Sequence, residues 1–261
     1  MTKFLSLTLA GLILAPFSQA FAAVRTETVE YKLGDQTLKG FIAYDDAVEG
    51  RRPGVLVAPE WWGMNEYTQS RAKQLAELGY VAFAADYYGD GKTTEDPKVA
   101  GETAGPIKSD TEKFRALGKA ALETLKARPE VDPQKVAAIG YCFGGSAVLE
   151  LARDGSDLLG VVSFHGALST QAPAKAGDVK AKILVCHGND DPMVKPEEVA
   201  AFVNEMKEAD TDYTLIAYGG AVHAFTNPNA DSHNIPGVKY NEKADKRSWE
   251  AMKAFFGELF K

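Results

Sequence analysis

The stretch that decides the fold is residues 140–145, Gly-Tyr-Cys-Phe-Gly-Gly. It follows the short apolar run 136–139 and precedes a helical pattern that begins near Ser146. Gly140 and Gly144 flank Cys142 at a sharp strand-to-helix turn, where a Cβ on either side would clash. The segment therefore predicts a nucleophile elbow that presents the Cys142 thiol at the N-terminus of a helix.

The surroundings predicted for Cys142 favour a reactive thiol. Free amides and the helix dipole at a helix N-terminus stabilise a thiolate, and the Phe143 amide would point towards an oxyanion formed above the sulfur. A free cysteine is more commonly a small buried apolar residue. Glycine on both sides, with a strand before and a helix after, favours the nucleophile here.

Outward from this turn, apolar strands alternate with amphipathic helices along the chain. An antiparallel hairpin opens the domain, and continuous apolar strands of the kind that follow it belong in a parallel sheet covered on both faces. With the elbow, this pattern predicts one α/β domain over residues 23–261 with an α/β-hydrolase fold: a mostly parallel central sheet of about eight strands with helices on both faces. The predicted strands are 26–33, 37–44, 54–58, 81–85, 136–139, 159–164, 183–186 and 213–218.

Two further segments are predicted around this sheet. The clearest amphipathic helix is 111–126, with Ser109 and Glu112 as its capping box. Residues 89–108 are rich in glycine, proline and charge, and we expect them to form a long loop that borders the active site.

A nucleophile of this kind needs an acid and a histidine, which follow it in that order in this fold. The strand 183–186 leads into a turn with two adjacent carboxylates, of which Asp191 has the spacing to point inward, while Asp190 faces solvent or caps the turn. Both could be turn residues only. His223 follows the strand 213–218 and two glycines, where the base is expected.

The remaining histidines and cysteines are assigned structural roles. His187 is expected to make a structural hydrogen bond and His165 to line the pocket, while His233 lies in a polar loop. The four histidines lack metal-ligand spacing, so no metal and no cofactor are predicted. The chain has two cysteines, Cys142 and Cys186. Both lie at the ends of predicted strands, which favours separate roles over a disulfide.

Residues 59–65, Pro-Glu-Trp-Trp-Gly-Met-Asn, follow the strand 54–58. In this fold the segment normally supplies the second oxyanion donor, and the Trp61 amide fits that role. Glu60 is a carboxylate among apolar neighbours, which favours a place beside the thiol or imidazole. Trp61 and Trp62 either wall the pocket or pack in the core.

The N-terminus predicts export. Lys3, a short apolar run and an Ala-Phe-Ala motif at 20–22 are typical of a signal peptide over residues 1–22, although cleavage after Ala20 is also compatible. The mature chain would be exported, to the periplasm or beyond the cell. The net charge of −7 and the lack of a basic cluster argue against nucleic acid and anionic membrane as partners. Oligomeric state is not readable from the sequence.

Taken together, residues 59–65, the motif at 140–145, Asp191 and the His-Ala-Phe at 223–225 resemble the dienelactone hydrolase family, carboxymethylenebutenolidase-like enzymes of the α/β-hydrolase superfamily. The resemblance covers nearly all of the mature chain. It implies hydrolysis through a Cys-Asp-His triad of Cys142, Asp191 and His223, and Glu60 as a carboxylate that helps generate the thiolate.

The sequence departs from the family pattern in the residues that bind the substrate. The family's lactonases hold a substrate carboxylate with arginines, one of them four residues after the catalytic histidine, where this chain has Asn227. A neutral ester or lactone is therefore at least as plausible a substrate, with Trp62, Tyr88 and Asn227 expected to contact it. The alternatives are an exported binding protein with little or no catalysis, or a thioesterase or peptidase that uses the same groups.

Overall fold

The computed structural model describes residues 24–261, so the predicted signal peptide lies outside the described residues. Eight strands form one sheet, in the spatial order β1-β2-β4-β3-β5-β6-β7-β8. The strands are β1 (Val24–Leu33), β2 (Gln36–Asp45), β3 (Arg52–Ala58), β4 (Val81–Ala84), β5 (Val131–Tyr141), β6 (Gly160–Phe164), β7 (Lys182–Gly188) and β8 (Tyr213–Tyr218).

The pairing confirms a mostly parallel sheet. β1 and β2 form the predicted antiparallel hairpin, β2 runs antiparallel to β4, and all other neighbours are parallel. Six α-helices and a short 3-10 helix at Ala230–His233 complete the fold in residues 24–261. The helices are α1 (Glu66–Glu77), α2 (Pro97–Ser109), α3 (Thr111–Lys126), α4 (Phe143–Arg153), α5 (Pro196–Glu208) and α6 (Glu242–Leu259).

Side chains that alternate along each strand build two apolar cores, one on each face of the sheet. On β3, Leu56 joins the core that is covered by α3, α4 and α5, whereas Val55 and Val57 join the core covered by α1 and α6. The central strands are therefore buried on both faces, which explains why their sequences read as continuous apolar runs.

The structure corrects two expectations on the same side of the sheet. Residues 89–108 are not one long loop, because most of α2 lies within them. The capping box predicted for α3 is also wrong. Ser109 ends α2, where its hydroxyl donates to the Gly105 carbonyl, and the Asp110 carboxylate caps α3 by accepting from the Lys113 N–H at 3.0 Å.

Within the part of the chain that the structure describes, the helices are too short or too polar to cross a membrane.

The cap at Asp110 gives a test of this local structure. Asp110→Ala leaves the first-turn amides of α3 without their side-chain acceptor and should lower the free energy of unfolding by about 1 kcal/mol. Ser109→Ala is the matched control and should cost less, since Ser109 does not cap α3. Chemical denaturation of both variants measures the difference, and an equal or larger loss in Ser109→Ala would contradict the assignment.

Candidate active site

The turn around Cys142 has the geometry of a nucleophile elbow. Cys142 joins β5 to α4 with φ 52° and ψ −110°, a conformation that residues with a Cβ rarely adopt. A Cβ on Gly140 would overlap the Gly144 carbonyl, and one on Gly144 would overlap the backbone of Ala58 on the neighbouring strand β3. The two glycines thus allow α4 to approach the sheet closely enough to raise the thiol above its edge.

The topology brings the other predicted residues to the same edge. Since β3, β5, β7 and β8 are parallel, the loops at their carboxyl ends meet there. Glu60 follows β3, Cys142 follows β5, Asp191 follows β7 and His223 follows β8. The sheet order therefore assembles four groups that are up to 163 positions apart in the chain.

Cys142, His223 and Asp191 form a continuous chain of contacts. The Nε2 of His223 lies 3.0 Å from the Cys142 Sγ, and its Nδ1 lies 2.8 Å from the Asp191 Oδ2. The second oxygen of Asp191 accepts the Met193 N–H at 2.8 Å, and the Asp191 side chain is fully buried. Asp190 is exposed, so the structure places Asp191 rather than Asp190 against the imidazole.

The backbone holds the loops of Asp191 and His223 together. The His223 N–H donates to the Gly237 carbonyl, and the Asp190 N–H donates to the Ala221 carbonyl. A Cβ on Gly188 would lie 2.8 Å from the carbonyl oxygens of Ala221 and Val222. Glycine at this position therefore permits the close approach that sets the distance between imidazole and carboxylate.

These contacts favour the protonated form of His223. Burial alone would lower its pKa, but negative charge on Cys142 and the hydrogen bond with Asp191 outweigh that penalty and raise the pKa to about 10. An imidazole in this position can take the thiol proton and retain it as a stabilised imidazolium.

His165 lies beneath the elbow rather than in the pocket where it was expected. Its Nδ1 accepts the Cys142 N–H at 3.1 Å, a proton shared with the Phe164 carbonyl, and its Nε2 lies 2.7 Å from the Thr226 hydroxyl. Burial and the charges of His223 and Arg71 hold the pKa of His165 well below its usual range. A neutral His165 thus joins the backbone of Cys142 to the loop that carries His223.

A second group that the sequence did not reveal continues this connection. Thr226 also contacts the Tyr67 hydroxyl at 2.6 Å, and the Arg71 guanidinium donates to the Thr226 carbonyl and to the Asp245 carboxylate. These four residues and His165 are all buried. The one sequence signal for this network was a histidine, His165, directly after a buried strand. The residues that His165 contacts lie too far away in the chain for a sequence pattern to reveal the contacts.

Glu60 is buried close to Cys142 and His223. It borders a cavity of about 90 Å³ together with Cys142 and His223. Its Oε2 accepts from the Asn227 Nδ2 at 2.7 Å. Burial raises the pKa of Glu60 to about 7, although the Asn227 hydrogen bond and the charges of His223 and Arg71 favour the carboxylate. The carboxyl group can therefore gain or lose a proton near neutral pH.

Three residues expected to contact substrate have structural partners as well. Asn227 is buried against Glu60 and does not border the larger cavity above Cys142. The Tyr88 hydroxyl donates to the Trp61 carbonyl at 2.6 Å and so fixes the loop that carries Trp61. Trp62 is buried and stacks on His233, with ring centroids 4.1 Å apart, although one edge borders the small cavity beside Glu60.

The larger cavity opens directly above the thiol, and we call it the near compartment. It has a volume of about 280 Å³, and its lining is mostly apolar: Trp61, Gly101, Ala104, Gly105, Lys108, Cys142, Phe143, Ser146, Ala167, Met193, Val194 and His223. No hydrogen bond within the described chain takes up the N–H of Phe143 or of Trp61. Both amides belong to residues that line the cavity, so both remain available to an oxyanion.

The remaining sequence expectations concern thiols, histidines and metals. Cys142 and Cys186 are both free thiols, and burial raises the pKa of Cys186 to about 12. His187 was expected to make a structural hydrogen bond, but its Nδ1 is buried without a partner. Within residues 24–261, no three histidine, cysteine or carboxylate side chains cluster closely enough to hold a metal ion.

Comparisons with known proteins agree with this architecture. A solved structure of a dienelactone hydrolase-like promiscuous phosphotriesterase from metagenomic libraries is 42% identical, covers 91% of this chain and 99% of its own, and superposes with a TM-score of 0.87. A protein named usf from Aquifex pyrophilus is 29% identical over 89% of this chain and 98% of its own.

Two further comparisons identify the family. A protein with the provisional name carboxymethylenebutenolidase, from Aquifex aeolicus, is 26% identical over 90% of this chain and 99% of its own. The sequence model of the Dienelactone hydrolase family matches residues 38–260. The chain therefore belongs to the dienelactone hydrolase family and is a hydrolase that acts on ester or lactone bonds.

Proposed function

We propose that this hydrolase cleaves small esters or lactones through a covalent thioester on Cys142. The observation that carries the proposal is the unbroken contact from the Cys142 Sγ to His223 and on to Asp191, at 3.0 and 2.8 Å, at the floor of an apolar cavity. Such an arrangement suits nucleophilic catalysis, because an activated thiol needs a base within hydrogen-bond reach and a third group that orients the base.

In the acylation step, His223 accepts the Cys142 proton and the thiolate attacks the carbonyl carbon. The carbonyl oxygen becomes an oxyanion, for which the Phe143 and Trp61 amides supply two donors. As the tetrahedral intermediate collapses, the C–O bond to the alcohol breaks and the His223 imidazolium returns its proton to the departing alkoxide. Asp191 stabilises the imidazolium while it carries that proton.

In the second step, water cleaves the thioester. Neutral His223 takes a proton from the water as its oxygen attacks the acyl carbon, and the same amides stabilise the second oxyanion. The Cys142 thiolate leaves, and the imidazolium returns a proton to it. The products are a carboxylic acid and an alcohol, or a single hydroxy acid when the substrate is a lactone.

Glu60 supports the first step in this proposal. Glu60 lines the small cavity together with Cys142 and His223, which supports this role, and its pKa of about 7 allows it to exchange a proton at neutral pH. As a carboxylate it stabilises positive charge on His223 and favours the thiolate-imidazolium pair. The Asn227 side chain is neutral, so its hydrogen bond does not neutralise the Glu60 carboxylate.

The preferred substrates are neutral rather than anionic near the thiol. The near compartment is mostly apolar, and the sequence has Asn227 where the family's lactonases carry an arginine that binds a substrate carboxylate. The similarity to a promiscuous phosphotriesterase also favours a secondary activity on neutral phosphate triesters, whose phosphoryl oxygen would use the same amides.

We also propose that the protein is exported. The N-terminal sequence supports this, with its basic start, short apolar run and Ala-Phe-Ala motif. The N-terminal mass of the purified exported protein should correspond to a start near Ala23, and a mature protein that retains Met1 would contradict the proposal.

The nucleophile is tested by removing each thiol separately. Cys142→Ala should abolish hydrolysis of p-nitrophenyl acetate while the protein remains folded, because the proposed acyl-enzyme forms on the Cys142 thiol. The substrate panel should add a lactone, an acyl thioester, a peptide and a neutral phosphate triester, which distinguish the alternative activities. Intact-mass spectrometry should detect a transient acetyl adduct on the wild type.

Cys186→Ala is the matched control for that experiment. Cys186 is buried and has a raised pKa, so its loss should leave turnover per folded molecule and the fast alkylation of one thiol by iodoacetamide unchanged. Full ester turnover by Cys142→Ala would overturn the proposed mechanism.

The role of Glu60 predicts a pH dependence. Since its carboxylate form supports acylation, the rate should rise as pH increases through about 7, and Glu60→Gln should slow acylation and remove that rise. Glu77→Gln, at an exposed position on α1, is the control and should keep the wild-type profile. Stopped-flow release of p-nitrophenol measures the acylation rate. Loss of folded protein without a change in the pH profile would assign Glu60 a purely structural role.

The same shift predicts how stability depends on pH. The pKa of Glu60 rises from 4.5 to about 7 on folding, so the folded state binds more protons between these values and loses stability as pH increases through this window. Relative to Glu60→Gln, the wild type should lose up to about 3 kcal/mol of unfolding free energy between pH 4.5 and 8. Urea denaturation across this range measures the difference, and parallel curves would show that Glu60 does not titrate there.

A further inference from the structure

A second cavity adjoins the near compartment, and we call it the distal compartment. It has a volume of about 320 Å³ and lies between the end of α2, the start of α3 and residues 169–171. The two compartments share Gly105, Lys108 and Ser146 in their linings. They therefore adjoin each other between α2 and the first turn of α4, the helix that begins next to Cys142.

The distal compartment is more polar than the near compartment, although both linings are mainly apolar. The hydroxyl and amide groups of the distal lining come from Ser109, Thr111, Ser146, Ser169, Thr170 and Gln171. Glu150 also borders it, but Arg115 and Arg153 already neutralise the Glu150 carboxylate. The distal lining thus offers hydrogen bonds and the side chain of Lys108, whereas the negative charge of Glu150 is already paired.

Helix α2 carries two glycines where the compartments adjoin. Gly101 and Gly105 both line the near compartment, one turn apart, and a Cβ on Gly105 would meet no atom within 4 Å. Glycine weakens a helix interior, and α2 also contains Pro106. Packing does not require glycine at position 105, so the residue leaves space at the junction of the two compartments.

We propose that the two compartments form one elongated binding site for esters with a medium-length chain that ends in a hydrogen-bonding group. This inference rests on the proposed function. The scissile carbonyl lies above Cys142, the apolar part of the chain fills the near compartment, and the chain passes Gly105 into the distal compartment. Its polar end reaches the hydroxyl groups around Thr170. Gly105 is a specificity-determining residue, since any larger side chain there narrows the passage.

The test compares Gly105→Leu with Gly257→Leu. Gly257 lies in α6, and a Cβ there also meets no atom within 4 Å, so it controls for the effect of replacing a helical glycine by leucine. Leucine has the higher helix propensity, so neither variant should melt below the wild type. Two series are measured: p-nitrophenyl esters from acetate to decanoate, and acetates of alcohols from ethanol to decanol. They distinguish a chain on the acyl side from one on the alcohol side.

In one of the two series, wild-type kcat/KM should increase with chain length, and a terminal hydroxyl on the longest chain should increase it further. Gly105→Leu should lower the ratio of long-chain to acetyl kcat/KM by about tenfold or more, the size expected when a side chain blocks a pocket. Gly257→Leu should keep the wild-type ratio.

Two different failures can be told apart. Hydrolysis of short esters with the same length dependence in wild type and Gly105→Leu would overturn the elongated site and leave the proposed function intact. Absence of ester hydrolysis in the wild type at every length would overturn the proposed function and this inference with it.

Discussion

The close contact between the nucleophile elbow and strand β3 is the constraint on which the site depends. Gly144 lies against the backbone of Ala58, and Gly140 lies against the first turn of α4, so both positions exclude a side chain. This contact fixes the thiol at the edge of the sheet and brings the residues that follow β3 beside it. Glu60 and Trp61 therefore reach Cys142 because two strands that are far apart in sequence are neighbours in the sheet.

Much of this arrangement could be predicted from the sequence, because the relevant signals are local. Two alternating segments and six apolar runs identified the eight strands, and the glycine spacing around Cys142 identified the turn that presents it. Asp191 lies three residues after the end of β7 and His223 five residues after the end of β8, so the parallel topology brings both to one edge of the sheet. The sequence analysis also expected both side chains to lie close to the Cys142 thiol, and the structure brings the three side chains together.

The features that the sequence did not predict concern competition between neighbouring residues or contacts across the fold. Ser109 and Asp110 are both good capping residues, and the end of α2 decides that Asp110 caps α3. The composition of α2 favours a loop, and tertiary packing overrides it. The contacts of Asn227 with Glu60 and of His165 with Thr226 join residues 167 and 61 positions apart, which a single sequence does not reveal.

The network beneath the elbow also determines when the site can form during synthesis. Arg71 on α1 bonds to Thr226 and to Asp245 at the start of α6, and Thr226 in turn supports His165 under Cys142. A nascent chain that has released Cys142 but not yet residues 223–245 lacks His223 and part of this network. In the proposed mechanism, the thiol of a partly synthesised chain is therefore not yet activated, and its reactivity develops only when the C-terminal segment has docked.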